Sequence, residues 1–259
     1  MVCVYDSGVG GLTALRALRR AAPKCDVIYF GDTARVPYGV RDAATVSRYA
    51  REVLDRLAAF SPSAVLVACG TVSTVFLPTA HARYPFPLFG VAEAGVRAAV
   101  AAAPSGRIAV LGTEATVRSG YFSRRIAERL PRAEVTSLAC PLFVALAEGG
   151  YTAPDDPIAR VAVKTLLSPL IPKKPEAILL GCTHFPWLAS HISRLFPRAT
   201  LVDPGAEAVA ELAPLLADEV GLGKTEYLVT DGAESFLRAA HRMTGAAVGE
   251  TVREVSLTS

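Results

Sequence analysis

Two cysteines of this chain stand in the same local context, each closing a short apolar run: AVLVAC at residues 64–69 and AILLGC at residues 177–182. Runs of this kind read as buried parallel strands, and in open parallel sheets ligands bind outside the carboxyl ends of the strands. The other polar clusters, Asp6-Ser7, Thr33 to Gly39, Cys69 to Ser73, Thr113 with Thr116, and Cys182-Thr183-His184, fall at the same end. If Cys69 and Cys182 come from equivalent strand ends on facing walls, a substrate between them meets one thiol on each side. Two opposed acid/base groups suit one reaction class, the removal of a proton from one face of a carbon and its return to the other. A thiol serves because its ordinary pKa of about 8.5 is lowered by neighbouring cations or helix N-termini into the working range of a general base. At any moment one cysteine must be thiolate and the other thiol. Asp6 is a candidate to accept a proton or hydrogen bond near one cysteine. His184, just beyond Cys182, is a candidate to protonate or orient near the other.

The remaining motifs are less specific. GVGG, Gly8 to Gly11, lies between a strand and a helix, where exposed N–H groups can seat a carboxylate or a phosphate. It lacks the Lys-Ser/Thr ending of a P-loop and the third glycine of a dinucleotide fingerprint. Lys24, Lys164, Lys173, Lys174 and Lys224 lie in polar segments, so no buried Schiff-base lysine for pyridoxal phosphate stands out. Cys182 and His184 form half of a metal-ligand pattern that nothing in the sequence completes, so neither metal nor cofactor is expected. Cys3, Cys25 and Cys140 read as small buried apolar residues, and His81, His191 and His241 as surface or core filler. Five widely spaced cysteines without a CxxC pair argue against a disulfide scaffold and a zinc ribbon.

The elements that must position these residues follow an α/β rhythm. Strands are expected at residues 2–5, 27–30 and 64–68, with helices between them that place Leu12, Leu15 and Leu18, then Val46, Tyr49, Val53 and Leu57, on inward faces. Helices alternating with strands mean a parallel sheet. The pattern then recurs: VCVYDS (2–7) aligns with IAVLGT (108–113), and AVLVAC with AILLGC, at nearly equal offsets and with a proline (Pro23, Pro131) after each first helix. The fold class expected is α/β: two similar parallel-sheet domains related by pseudo-twofold symmetry, with the active site in the cleft between them. LFGVAEA (88–94) and ATLVDPGAEA (199–208) both run from a strand into a helix. The helices beyond them carry no new run of strands, so the C-terminal segment is expected to pack back on the first half. The domains are drawn as 1–91 plus 205–259, and 92–204.

Composition sets the outer bounds. The chain has 259 residues, 51% of them hydrophobic and 20% charged, which excludes disorder as its main theme. The net charge of +3 is spread along the sequence, so neither a nucleic-acid stripe nor a polybasic membrane anchor is expected. The longest uncharged run, Leu57 to Ala80, is interrupted by Pro62, Gly70 and Pro78 and does not read as a membrane span. No secretory signal is legible before Asp6, and a cytoplasmic location follows by default.

Together, DSGVGGLT (6–13), YFGDTARVPYG (29–39), ACGT (68–71), GTEATVRSGYF (112–122), Glu148 and LGCTHFPWL (180–188) resemble the glutamate racemases, in that family's order and spacing from Val2 to about Gly205. The resemblance implies cofactor-independent, two-base racemisation of glutamate between its L and D forms, supplying D-glutamate for peptidoglycan and so for cell-wall biogenesis and cell shape. It implies that Cys69 and Cys182 are the bases, that Asp6 assists Cys69, and that His184, oriented by Glu148, assists Cys182. Substrate contacts carried over by position are Asp6, Ser7, Pro37, Tyr38, Gly39, Gly70, Thr71, Thr113, Thr116, Thr183 and His184. The partner is the small-molecule substrate, and a homodimer is left open. The histidine after Cys182-Thr183 favours glutamate over the aspartate-specific relatives.

One position departs from the family, which has Asn-Thr after the first cysteine where this chain has Gly70-Thr71. The conformational reading is that asparagine and glycine share a left-handed turn, so that the backbone is unchanged. The functional reading is a missing amide, worth about 1.5–3 kcal/mol as a hydrogen bond to a charged group. On both together, Gly70→Asn is expected to preserve the structure and to improve kcat/KM. Two alternatives accompany the main reading: a racemase of another acidic amino acid, and a low-activity relative that binds a ligand or a protein.

Overall fold

The computed structural model describes residues 1–80, 83–217, 219, 221–244 and 252–257. His81 therefore lies outside the described residues. The strands are β1 (Val2–Asp6), β2 (Val27–Gly31), β3 (Ala64–Val67), β4 (Leu88–Gly90), β5 (Arg107–Gly112), β6 (Glu134–Ala139), β7 (Ala177–Leu180), β8 (Thr200–Val202), β9 (Thr225–Val229) and β10 (Val252–Glu254). The helices are α1 (Leu12–Ala21), α2 (Ala43–Ala58), α3 (Gly70–Val75), α4 (Val91–Ala102), α5 (Glu114–Arg118), α6 (Tyr121–Arg129), α7 (Pro141–Glu148), α8 (Pro157–Leu167), α9 (Ala189–Leu195), α10 (Pro204–Leu212) and α11 (Ala233–Thr244).

These strands form two parallel sheets. The first runs in the order β10-β9-β2-β1-β3-β4 and the second β6-β5-β7-β8. The internal repeat of the sequence is visible in that order, because β2-β1-β3-β4 and β6-β5-β7-β8 are one connectivity used twice. Cys69 follows β3 and Cys182 follows β7, the corresponding strands of the two sheets. The α/β class and the paired parallel sheets are as the sequence predicts.

Among the described residues, alternation along the strands builds four cores. Val2 and Val4 face one side of the first sheet while Cys3 and Tyr5 face the other, and Ala109 and Leu111 oppose Ile108 and Val110 in the second. The helices covering them start where polar caps precede apolar faces. Asp42 accepts from the Thr45 N–H at 2.8 Å to start α2, Asp156 accepts from the Ala159 N–H at 2.8 Å to start α8, and Asp203 with Pro204 starts α10. The expected inward faces hold, since Leu12, Leu15, Leu18, Val46, Val53 and Leu57 are buried, with Tyr49 half-buried.

The two crossings between sheets pack on each other. In α4, Ala92, Val96 and Ala99 lie against Ile108 and Val110 of the second sheet, whereas Ala208, Val209 and Leu212 of α10 lie with Leu12 and Leu15 on the first. Gly95 of α4 brings the helices together, because a Cβ there would stand 3.0 Å from the Pro204 ring. The C-terminal segment does return to the first sheet, but the expectation that it adds no strand is wrong: β9 pairs with β2, and β10 with β9. A five-residue strand carrying Glu226 and a three-residue strand reading VRE give too little apolar periodicity to register, and pairing with an existing sheet edge stabilises them.

Candidate active site

Cys69, Cys182 and most of the sequence-predicted residues line one cavity of about 310 Å³ between the two sheets, within the range of small-molecule sites. Ser7, Pro37, Tyr38, Gly39, Cys69, Gly70 and Thr71 come from the first-sheet half, and Thr113, Glu148, Cys182, Thr183 and His184 from the second. Asp6 and Thr116 do not reach the wall. Asp6 is fully buried behind it, and Thr116 holds the Thr113 hydroxyl at 3.0 Å.

The two thiols have different surroundings. Cys69 stands at the N-terminus of α3 with its sulfur 3.5 Å from Ser7 Oγ, and burial together with the Asp6 carboxylate pushes its pKa up to about 12. Asp6 Oδ2 accepts from the Gly8 N–H at 2.9 Å, while the buried Oδ1 has no partner. Burial raises the Asp6 carboxyl, against the opposing pull of His184 and of the Gly8, Gly11 and Ser7 amides. The glycine loop thus turns its N–H groups toward the protein's own carboxylate, and the seat that the sequence suggests for a ligand anion is taken by Asp6.

On the other wall a relay runs outward. Cys182 Sγ lies 3.7 Å from His184 Nδ1, and His184 Nε2 lies 2.9 Å from Glu148 Oε1. Burial pulls the His184 pKa down, but the bonds to Cys182 and Glu148 outweigh it and bring it up to about 10. That shift favours the imidazolium form of His184 beside the Cys182 sulfur.

The halves meet around the cavity at glycines. A Cβ on Gly10 would stand 2.2 Å from Thr183 Oγ1 and 2.6 Å from the His184 ring, and one on Gly39 would stand 2.7 Å from Thr113 Cβ. Thr71 and Thr113 share a hydroxyl–hydroxyl bond of 3.2 Å across the cleft, and Thr13 donates to the Thr183 carbonyl at 3.3 Å. Gly70 overturns the turn reading. It is the first residue of α3, outside the left-handed region, and its Cβ position lies 2.4 Å from the Gly181 carbonyl oxygen. Glycine is required here by the approach of two backbones, so an asparagine cannot be added without moving them apart.

Other residues of the wall escaped the sequence reading. Pro141, Val144 and Ala145 join Glu148 on one face of α7, at the spacing of a helical stripe, which counting back from Glu148 would have found. Tyr38 depends on Asp32, a buried carboxylate that also accepts from Arg35 Nε at 2.7 Å and from Thr230 Oγ1 at 2.8 Å. Cys3, Cys25 and Cys140 are buried in cores, as expected, and His191 is buried against the Ala153 carbonyl at 2.9 Å. Among the described residues, no three His, Cys, Asp or Glu side chains converge as metal ligands, and no helix is long and apolar enough to cross a membrane.

Residues 13–212 match the Asp/Glu/Hydantoin racemase family. The glutamate racemase of Geobacter metallireducens is 40% identical over 98% of this chain and 96% of its own length. The crystal structure of glutamate racemase from Thermus thermophilus in complex with beta-chloro-D-alanine superposes with a TM-score of 0.88 at 40% identity, covering 99% of this chain and 96% of that one. That of Francisella tularensis glutamate racemase in complex with D-glutamate gives 0.90 at 30% identity, covering 99% and 97%.

Proposed function

The chain belongs to the Asp/Glu/Hydantoin racemase family, and on that premise we propose that it interconverts L- and D-glutamate by a two-base route through Cys69 and Cys182. The observation that carries this reading is the single cavity walled by both thiols, each backed by its own proton-handling group: Asp6 behind Cys69, and His184 with Glu148 beside Cys182. With one enantiomer bound, Cys182 as thiolate takes the Cα proton while the Cys69 thiol delivers one to the opposite face. The other enantiomer reverses the roles. The unpartnered Asp6 oxygen is the acceptor we assign to the Cys69 proton on that reversal.

The cavity lining as described contains no lysine or arginine. The substrate carboxylates are accordingly assigned to hydroxyls, those of Ser7, Thr71 and Thr183, which orient without a fixed countercharge. The reaction is proposed to need no pyridoxal phosphate, metal or nucleotide, because the two cysteines perform both proton transfers. Its product D-glutamate would serve peptidoglycan synthesis in the cytoplasm. The departure at Gly70 keeps a second reading, preference for another acidic amino acid, in the same assay. Purified protein is incubated with L- or D-glutamate, and with aspartate, after dialysis against chelator and hydroxylamine, and optical activity is followed by circular dichroism. Decay of the glutamate signal from either enantiomer is expected. A signal that persists, or that decays only when a cofactor is restored, overturns the proposal.

A further inference from the structure

Helix α7 ends at Glu148, the residue that holds His184, and two glycines follow it. The Glu148 carboxylate is 47% exposed, so its own surroundings fix it weakly. Gly150, at φ +83°, takes the chain through a left-handed step immediately beyond. The last carbonyl groups of a helix lack partners within it. Here the carbonyl of Glu148 is met from the other half of the molecule: Arg242, on the C-terminal helix α11, donates to it from Nε at 3.2 Å and from Nη2 at 3.1 Å. The guanidinium presents two donors in a rigid fork at the negative end of the α7 dipole, where a cation is favoured. The Arg242 stem lies along the glycine pair, its Cδ 3.6 Å from the Cβ position of Gly150. Between Arg242 and the Cys182 sulfur there is thus a continuous path: guanidinium to Glu148 carbonyl, Glu148 carboxylate to His184 Nε2, His184 Nδ1 to Cys182.

We propose that Arg242 is a positioning residue for the Cys182 acid/base group, gripping the end of α7 from the first-sheet half so that Glu148 holds His184 in line with Cys182. The proposal rests on the two-base reading only in treating Cys182 as an acid/base group. Because α11 belongs to one half and α7 to the other, the grip also ties the alignment of one base to the seating of the two halves against each other. Arg242 does not itself line the cavity, and the wall residue it bonds is Glu148, on the Cys182 side, so its effect should be confined to one side of the reaction.

The test compares Arg242→Ala, Arg242→Lys, Glu148→Gln and the double variant Arg242→Ala/Glu148→Gln. The readouts are steady-state kinetics with both glutamate enantiomers and rates of iodoacetamide alkylation at each cysteine, resolved by peptide mass spectrometry. Arg242→Ala is expected to lower kcat roughly two- to fivefold, the range for a grip exposed to solvent, with KM changed less than twofold. It should alter alkylation at Cys182 while leaving Cys69 unchanged, and Arg242→Lys should recover part of the loss. The double variant should be no slower than Glu148→Gln alone, because the grip acts through that residue. Multiplicative losses in the double variant, wild-type kcat in Arg242→Ala, or equal changes in alkylation at both cysteines would each overturn the proposal. Wild-type protein with no racemase activity would overturn the two-base reading instead, and the alkylation rates would still decide the role of Arg242.

Discussion

The sharpest disagreement between a sequence-based expectation and the structure concerns Gly70, and it yields opposite outcomes for one substitution. Adding any Cβ at Gly70 places it 2.4 Å from the Gly181 carbonyl oxygen, and real Cβ contacts below 3.0 Å essentially do not occur. The obstacle is backbone, held by the bond from the Gly181 N–H to the Leu111 carbonyl at 2.7 Å, so no side-chain rotation relieves it. The two halves must separate by several tenths of an ångström at the point where Cys69 and Cys182 are neighbours in the chain to the contacting residues. Overpacking of this kind costs about 1–3 kcal/mol of stability. A displacement approaching an ångström of groups that must act on one carbon costs on the order of a hundredfold in rate. Gly70→Ala and Gly70→Asn share the same Cβ, so both should lose stability by this amount and fall ten- to a hundredfold in kcat/KM, asparagine no better than alanine. The assay is thermal unfolding together with racemisation kinetics on glutamate and aspartate. If Gly70→Asn equals or exceeds wild type on glutamate while Gly70→Ala does not, the missing-amide reading is right and the contact argument is wrong.

Three further outcomes follow from the site. Cys69→Ser and Cys182→Ser should each abolish racemisation, whereas Cys3→Ser, Cys25→Ser and Cys140→Ser should act through packing alone; product formed in deuterated water should carry solvent deuterium at Cα, and unlabelled product would contradict proton exchange at the thiols. His184, brought up to about 10 from an ordinary 6.5, stabilises the fold fully below pH 6.5 and loses that contribution as pH rises toward 10; melting temperatures across this window should fall more steeply for wild type than for His184→Asn, and parallel curves would refute the assignment. Alkylation at Cys69 should stay slow up to about pH 12, where burial and Asp6 hold the thiol protonated, and Asp6→Asn should accelerate it; a Cys69 that reacts rapidly near neutral pH would contradict this electrostatic account.

How much was legible in the sequence divides along a physical line. The α/β class, the two sheets and the cysteine pair were readable because each rests on local periodicity or on a repeat, and both survive in a one-dimensional string. Residues whose role lies in a distant partner were not. Gly10 is glycine because Thr183 and His184 come within 2.2–2.6 Å of its Cβ position, and nothing near residue 10 announces that. Asp32 holds Tyr38 within a local motif, but Thr230, which also donates to it, lies just beyond β9, a strand that the sequence does not announce. The GVGG loop was read as an anion seat from its type alone, and only the fold reveals that the anion is Asp6.

The repeat that made the cysteines visible also sharpens what is not repeated. Strand order and the position of each thiol recur in both halves, yet one sulfur is backed by a buried carboxylate and the other by an imidazole tied to a carboxylate. The Asp6 carboxylate beside Cys69 favours its neutral thiol, whereas the bonds from Cys182 and Glu148 favour the charged form of His184. The proposed two-base exchange needs one sulfur loaded and the other empty, with the loading reversed for the other enantiomer, so each sulfur needs its own group to take up or return a proton. The duplicated scaffold places the sulfurs at corresponding strand ends, while the divergent neighbours make their surroundings unequal. Removing both partners should therefore be worse than removing either: a chain in which Asp6 and His184 are both replaced by asparagine should show a kcat for glutamate below that of either single variant, and a double variant no slower than His184→Asn alone would refute separate roles for the two groups.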